Sequence, residues 1–185
     1  MQIYNEEEVL SKLKSGNPEV QKIAFGKVVA FYTEKIYWQI RKMVLSHDDA
    51  NDILQNTFIK AWVNIEMFRG DAKLSTWLYK IAINECITFL NKQRSMNNIS
   101  IDDTDVFLLG KLKGDEYFDG DDAQIKLQKA ILTLPEKQRM VFNLRYYDEM
   151  PYDEMSEVLG TSVGALKASY HHAVKKIESI LLEEN

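Results

Sequence analysis

The side chains able to hold a metal or act as a nucleophile are few: the chain has three histidines, His47, His171 and His172, and one cysteine, Cys86. His47-Asp48 has the form of the metal-binding pair of HD-type hydrolases, but the further histidines such a site needs are absent. His171 and His172 are adjacent, and neighbours on a helix diverge by about 100°. The acidic run over residues 115–122 lacks the spacing of a calcium loop. There is no phosphate-binding glycine loop and no nucleophile elbow. Arg69-Gly70-Asp71 matches an integrin-ligand tripeptide, with no sign of secretion around it. A lone Cys86 among apolar helix positions is expected to pack in a core. The expectation is a protein that is not an enzyme and needs neither metal nor cofactor.

The chemistry that remains is recognition of nucleic acid, concentrated in residues 151–182. Pro151 suits a helix start, and Asp153 and Glu154 follow in the first turn, where the helix dipole favours anions. Met155, Val158 and Leu159 share one face, and Gly160 ends the helix in the left-handed conformation open to glycine. Ser162, preceded by Thr161, can cap the next helix. That helix places Leu166, Tyr170, Ala173, Ile177 and Ile180 on one inward stripe. Its other face carries Gly164, Ala168, His171 and Lys175, flanked by Lys167 and His172. Small residues at the start and cations behind suit a helix that enters a major groove and meets phosphates farther along. Helix, glycine turn and capped helix together predict a helix-turn-helix. The alternative is a plain helical hairpin with a solvated outer face.

The elements upstream are helical throughout. Residues 5–15 form a short helix that Gly16-Asn17-Pro18 interrupts. Residues 19–45 follow with a core set of Ile23, Val28, Phe31, Tyr32, Ile36, Ile40, Met43 and Val44. Ser46 and its neighbours offer caps for a helix over 49–67. Its inward stripe is Ala50, Ile53, Leu54, Thr57, Phe58, Ala61, Trp62 and Ile65. The opposite face, Asp52, Asn56, Ile59 and Val63 with Gln55 and Lys60 beside them, mixes polar groups with two aliphatics one turn apart. That mixture predicts a protein-docking surface over a merely solvated one. A glycine-containing loop over 68–74 leads, with Ser75 as cap, into a helix over 76–94. Its core side is Leu78, Ile81, Ala82, Cys86 and Phe89; its outer side is Thr76, Trp77, Lys80, Asn84 and Asn91. An aromatic beside a cation and amides suits unstacked bases, although Trp77 could equally be core.

At 185 residues, 45% hydrophobic and 28% charged, the composition is that of a soluble globular protein. No apolar run is long enough to span a bilayer and the acidic start is no signal peptide, so a cytoplasmic location without membrane insertion is expected. The net charge of −5 divides unevenly. Residues 1–94 carry 13 cations and 11 anions, residues 95–122 carry 2 and 8, and residues 123–185 carry 8 and 9. Neither end is basic enough to hold DNA tightly by phosphate neutralisation alone. Residues 95–122 lose periodicity and read as a flexible acidic linker, with Val106, Phe107, Leu108 and Leu109 as a small anchor. Fully extended, its 28 residues reach roughly 95 Å, more than the ~70 Å of two duplex turns. From residue 123 helices resume, pause at Leu134-Pro135 and continue through Met140, Val141, Phe142, Leu144 and Tyr147. The predicted fold is all-α: two small helical domains, 1–94 and 123–185, the second a four-helix domain containing the helix-turn-helix.

Four segments, DDANDILQNTFIKAW, FRGDAKLSTWLYKIAINE, LPEKQRMVFNLRYYDEMPYDEMSEVLG and TSVGALKASYHHAVKKIE, occur in one order. Together they resemble the extracytoplasmic-function sigma factors of the sigma-70 family. The resemblance implies that the first domain binds core RNA polymerase and the promoter −10 element. Asp52, Gln55, Asn56, Ile59, Lys60 and Val63 would hold the clamp coiled coil of the largest polymerase subunits. Phe68, Arg69, Gly70, Asp71, Ser75, Trp77, Lys80 and Asn84 would receive a base flipped from the non-template strand. Ser162, Gly164, Ala165, Lys167, Ala168, His171, His172 and Lys175 would read the −35 element. The linker would thread toward the active-site and RNA-exit channels as a removable stand-in for nucleic acid. An anti-sigma protein is a further implied partner, and the free chain is expected to be a monomer. Ser169, His172 and Val174 stand where relatives often carry arginine, which weakens backbone anchoring. Ala165 and Ala168 imply apolar or shape readout, because they cannot hydrogen-bond bases through side chains. Three rival readings make different predictions. A stand-alone regulator would be a dimer on a palindrome, a hydrolase would bind metal at His47-Asp48, and a polymerase adaptor would never touch bases.

Overall fold

The computed structural model describes residues 4–96 and 122–183, and every regular element among them is helical. The linker and its apolar anchor at residues 106–109 fall almost wholly outside the described residues. Helix α1 is Glu6–Leu13, and Asn5 caps it by accepting the Glu8 N–H. Pro18 opens α2, Pro18–Val44, beneath an Asn17 cap that accepts from Glu19 and Val20. Ser46 caps α3, His47–Val63, through the Asp49 N–H at 3.3 Å. A short 3-10 turn, Ile65–Met67, follows. Helix α4 is Leu74–Met96. The second half comprises α5 (Asp122–Leu132), α6 (Glu136–Tyr146), α7 (Tyr152–Leu159) and α8 (Val163–Glu183).

The first core gathers Val28, Ile36, Ile40, Ala50, Ile53, Leu78, Ala82 and Cys86 from α2, α3 and α4. Each fully buried aliphatic here contributes about 1.5–3 kcal/mol by leaving water. A second core holds Ile131, Phe142, Ala173 and Ile177 from α5, α6 and α8. The first core does not stop at the domain boundary. It continues into Met140, Val141, Leu144, Met155, Val158 and Leu166, so the two halves are packed together. Helix α6 is consequently buried along the whole stretch from Arg139 through Leu144.

Several sequence expectations are corrected. Helix α4 starts at Leu74, so Ser75 lies inside its first turn and is not its cap. Thr76, expected on the outer side, is 4% exposed, and Ile83 and Leu90 are buried with it. These three recur every seven residues and form a second buried stripe, on a helix that packs against both α3 and α7. Trp62 is 38% exposed and leans on Phe25, ring centroids 5.1 Å apart, whereas an inward position was expected. Ile23 and Phe31, expected in the core, are also exposed.

Cys86 is buried as expected, and burial, with Glu85 adding to it, pushes its thiol well above the ordinary range. Thiolate is therefore scarce at mildly alkaline pH. A chromogenic disulfide reagent at pH 8 is expected to leave the native chain unreacted over hours and to titrate one thiol on denaturation. Reaction at the rate of free cysteine would show that the first core opens there.

Candidate nucleic-acid interface

The helix-turn-helix forms for the reasons its sequence suggests. Gly160 ends α7 at φ +62°, and its N–H donates to the Ser156 carbonyl. Ser162 Oγ accepts the Ala165 N–H at 3.3 Å and so caps α8. Leu166, Ala173 and Ile177 are buried, with Tyr170 stacked on Phe142 at 5.8 Å. Ser162, Gly164, Ala165, Lys167, Ala168, His171, His172 and Lys175 are all exposed. A Cβ added at Gly164 would meet nothing within 4 Å, so the front of the helix has clearance for close approach. Two residues escaped the sequence reading. Tyr152 carries Arg145 at 5.2 Å and Lys167 at 5.7 Å from its ring, which gathers two cations beside the helix start. Arg145 also donates to the carbonyls of Glu149 and Met150, fixing the turn before α7.

The loop between the 3-10 turn and α4 is braced from α1. Lys14 Nζ donates to the Arg69 carbonyl at 3.2 Å, beside Gly70 in the left-handed region at φ +84°. Glu6 accepts the Leu74 N–H at 3.4 Å on one carboxylate oxygen and the Tyr32 hydroxyl at 3.0 Å on the other. Burial and the nearby Glu6 charge raise the Tyr32 hydroxyl pKa, which keeps it a donor. No sequence rule pairs residues 68 apart, so neither brace was legible.

Among the eight residues expected at this loop, Arg69, Gly70, Asp71, Lys80 and Asn84 are exposed, and Ser75 and Trp77 are half-buried. Phe68 is a correction. It is 7% exposed with its ring 5.2 Å from Trp77, so it supports the loop from beneath and cannot present a face to a base. Trp77 is half-buried, with its ring packed on Phe68. At 100° per residue Trp77, Lys80 and Asn84 fall within a ~60° arc, a platform beside a cation and an amide.

A third surface lies on α3. Asp52, Gln55, Asn56, Ile59, Lys60 and Val63 are all exposed, with Ile59 at 60% and Val63 at 72%. Lys60 is paired with Glu85 of α4.

His47 is not poised as a metal ligand. Its Nδ1 is 2.8 Å from the Tyr37 hydroxyl and its Nε2 is 3.0 Å from Asn51 Nδ2. A metal would have to displace one of these partners. Among the described residues no group of three or more metal-ligating side chains occurs, and no helix is long and apolar enough to cross a membrane.

Comparison with known proteins gives the family of both halves. Residues 29–96 match the family "Sigma-70 region 2", and residues 124–177 match "Sigma-70, region 4". The chain is 34% identical to the ECF RNA polymerase sigma factor SigW of Bacillus subtilis, over 88% of this chain and 89% of that one. It is 30% identical to the RNA polymerase sigma factor SigV of the same organism, over 77% and 81%. Two solved structures share its fold. CnrH in complex with the cytosolic domain of CnrY has a TM-score of 0.70 at 22% identity, covering 97% of this chain and 99% of that one. The sigma factor RpoE with the anti-sigma factor NepR from Bartonella quintana has 0.67 at 20%, covering 87% and 98%.

Proposed function

The chain belongs to the extracytoplasmic-function group of sigma-70 family RNA polymerase sigma factors, and from this we propose which of its surfaces performs each step of bringing polymerase to a promoter. It is a non-enzymatic specificity subunit that directs RNA polymerase to promoters for transcription initiation.

Residues 1–94 act as the core-binding and −10 domain, and residues 123–185 act as the −35 domain. The α3 face from Asp52 to Val63 docks on the clamp coiled coil of polymerase. Helix α8 enters the −35 major groove with Ser162, Gly164, Ala165 and Ala168 foremost, while Lys167, His171, His172 and Lys175 meet phosphates and base edges. The Arg69–Asp71 loop, Ser75, Trp77, Lys80 and Asn84 hold an unpaired base of the melted strand. The observation that carries this reading is the exposure of all fourteen residues expected on the docking and −35 faces, with Ile53, Leu54, Ala61, Leu166 and Ala173 between them buried. The near-neutral ends fit the division of labour: polymerase supplies much of the phosphate binding. A free monomer, a cytoplasmic location and an anti-sigma partner go with the same reading. The last rests on the anti-sigma factor bound to the solved neighbour RpoE.

The test is transcription in vitro with purified core polymerase on a library of randomised promoters. Start-site-specific transcripts that share two unlike elements, spaced by about two helical turns, are expected only when the chain is added. A palindromic consensus, or no dependence on core polymerase, would refute the assignment in favour of a stand-alone regulator.

A further inference from the structure

Helix α1 precedes the stretch matched to Sigma-70 region 2, which begins at residue 29. Both of its ends nevertheless reach the loop expected to meet the melted strand. At one end Glu6 accepts the Leu74 N–H at 3.4 Å, and at the other Lys14 donates to the Arg69 carbonyl at 3.2 Å. Eight residues separate the two grips, about 12 Å of helix. What they hold is backbone, at the two ends of the loop. Leu74 opens α4, so its N–H is one of the four that the helix itself leaves unsatisfied. The Glu6 carboxylate thus takes, from another helix, the capping role expected of Ser75, and its charge suits the positive end of α4.

Resting on the sigma-factor reading above, we propose that α1 is a splint for the strand-capture loop, with Glu6 and Lys14 as positioning residues that set Arg69–Leu74 against the unpaired promoter strand. Close packing does not hold the start of this loop. A cavity of about 500 Å³ opens there, lined by Lys14, Gly16 and Gln21 together with Glu66, Phe68 and Arg69. Arg69, Gly70 and Asp71 are exposed, and Gly70 sits in the left-handed region at φ +84°. What ties the Arg69 backbone to α1 is the ammonium of Lys14.

The splint is seated independently of the two side chains that grip. Val9 and Leu13 are buried in the first core as α1 packs on α2, and the Tyr4 ring stacks on Phe31 at 3.9 Å. Glu6 is in turn held by the Tyr32 hydroxyl of α2 at 3.0 Å, so its carboxylate reaches Leu74 already oriented. An apolar face therefore fixes α1, and its polar ends fix the loop. Lys73, the last loop residue, also pairs with Glu154 of α7, so the chain entering α4 keeps a second hold when the α1 grips are removed.

The test compares the full chain carrying Glu6→Ala and Lys14→Met with wild type, free and bound to core polymerase. Backbone amide exchange over residues 69–74 should quicken by about tenfold, and promoter opening should fall by about fivefold to tenfold, with core affinity unchanged. Glu6→Gln with Lys14→Arg, which keeps an acceptor at one end and a donor at the other, should recover most of the opening. The same conservative pair keeps the comparison sound if the first substitutions lower the melting temperature. Added to Lys80→Ala and Asn84→Ala, the α1 substitutions should cost less than about a further twofold, because residues acting through one contact are not additive. The splint is overturned by normal opening in the Glu6→Ala, Lys14→Met chain, by reduced opening with unchanged exchange at 69–74, or by two defects that multiply in full. If Lys80→Ala with Asn84→Ala opens promoters normally while the α1 substitutions do not, base capture by that pair falls and the splint stands.

Discussion

Ile59→Asp combined with Val63→Asp is expected to weaken binding to core RNA polymerase by about 100-fold or more while leaving the melting temperature unchanged. The two side chains lie one turn apart on α3 and are the most exposed aliphatics of that helix. Neither contributes to the core, so the folded chain should tolerate the change within about 0.5 kcal/mol. Anchors at the centre of an interface behave otherwise: removing one costs about 2–4 kcal/mol, and burying a new carboxylate adds to that. Fluorescence anisotropy of the labelled chain with core enzyme, beside a thermal melt, measures both quantities. Retained affinity would move the docking surface off α3. Loss of affinity together with loss of the melt would mean that the substitutions acted on folding.

The second large effect is expected from Lys80→Ala with Asn84→Ala, which should reduce promoter opening by about 10- to 100-fold with core binding within a factor of two. A base held outside the stack recovers about 1–3 kcal/mol from its platform, against a few kcal/mol of unstacking. Lys80 and Asn84 are exposed, so their removal leaves no cavity. Trp77 would be a poorer choice, because it also rests on Phe68 and its loss would disturb the loop. Permanganate reactivity of unpaired thymines reports the opening. On a template already mismatched across the −10 element, part of the defect should disappear, because unpairing no longer has to be driven. Wild-type opening in the double variant would favour an adaptor that never touches bases. Equal loss on both templates would assign the pair to polymerase contact.

Local features were legible where the physics is local. Ser46 and Ser162 cap the helices they were expected to cap, and Gly160 takes the left-handed turn. The inward stripe of α8 and the outward face of α3 follow from helical period alone. The errors share a different cause. Thr76 looks polar and outward on a helix considered singly, yet α4 carries a second buried stripe. Trp62 sits at the edge of the α3 stripe, where a few degrees of helix rotation decide whether a large ring is covered. The braces on the reading loop, Glu6 on Leu74 and Lys14 on Arg69, join residues more than 50 positions apart, and no spacing rule anticipates them. The pairing of Lys73 with Glu154 is of the same kind.

Lys60 belongs to the face assigned to polymerase, yet its ammonium is already engaged by Glu85 of α4, the immediate neighbour of Asn84. A partner that recruits Lys60 must take it from Glu85, leaving an uncompensated negative charge next to an amide expected to meet DNA. On that assignment, arrival of the enzyme on one helix would retune the electrostatics of the adjacent one, and anchorage and strand capture would share a single ionic hinge.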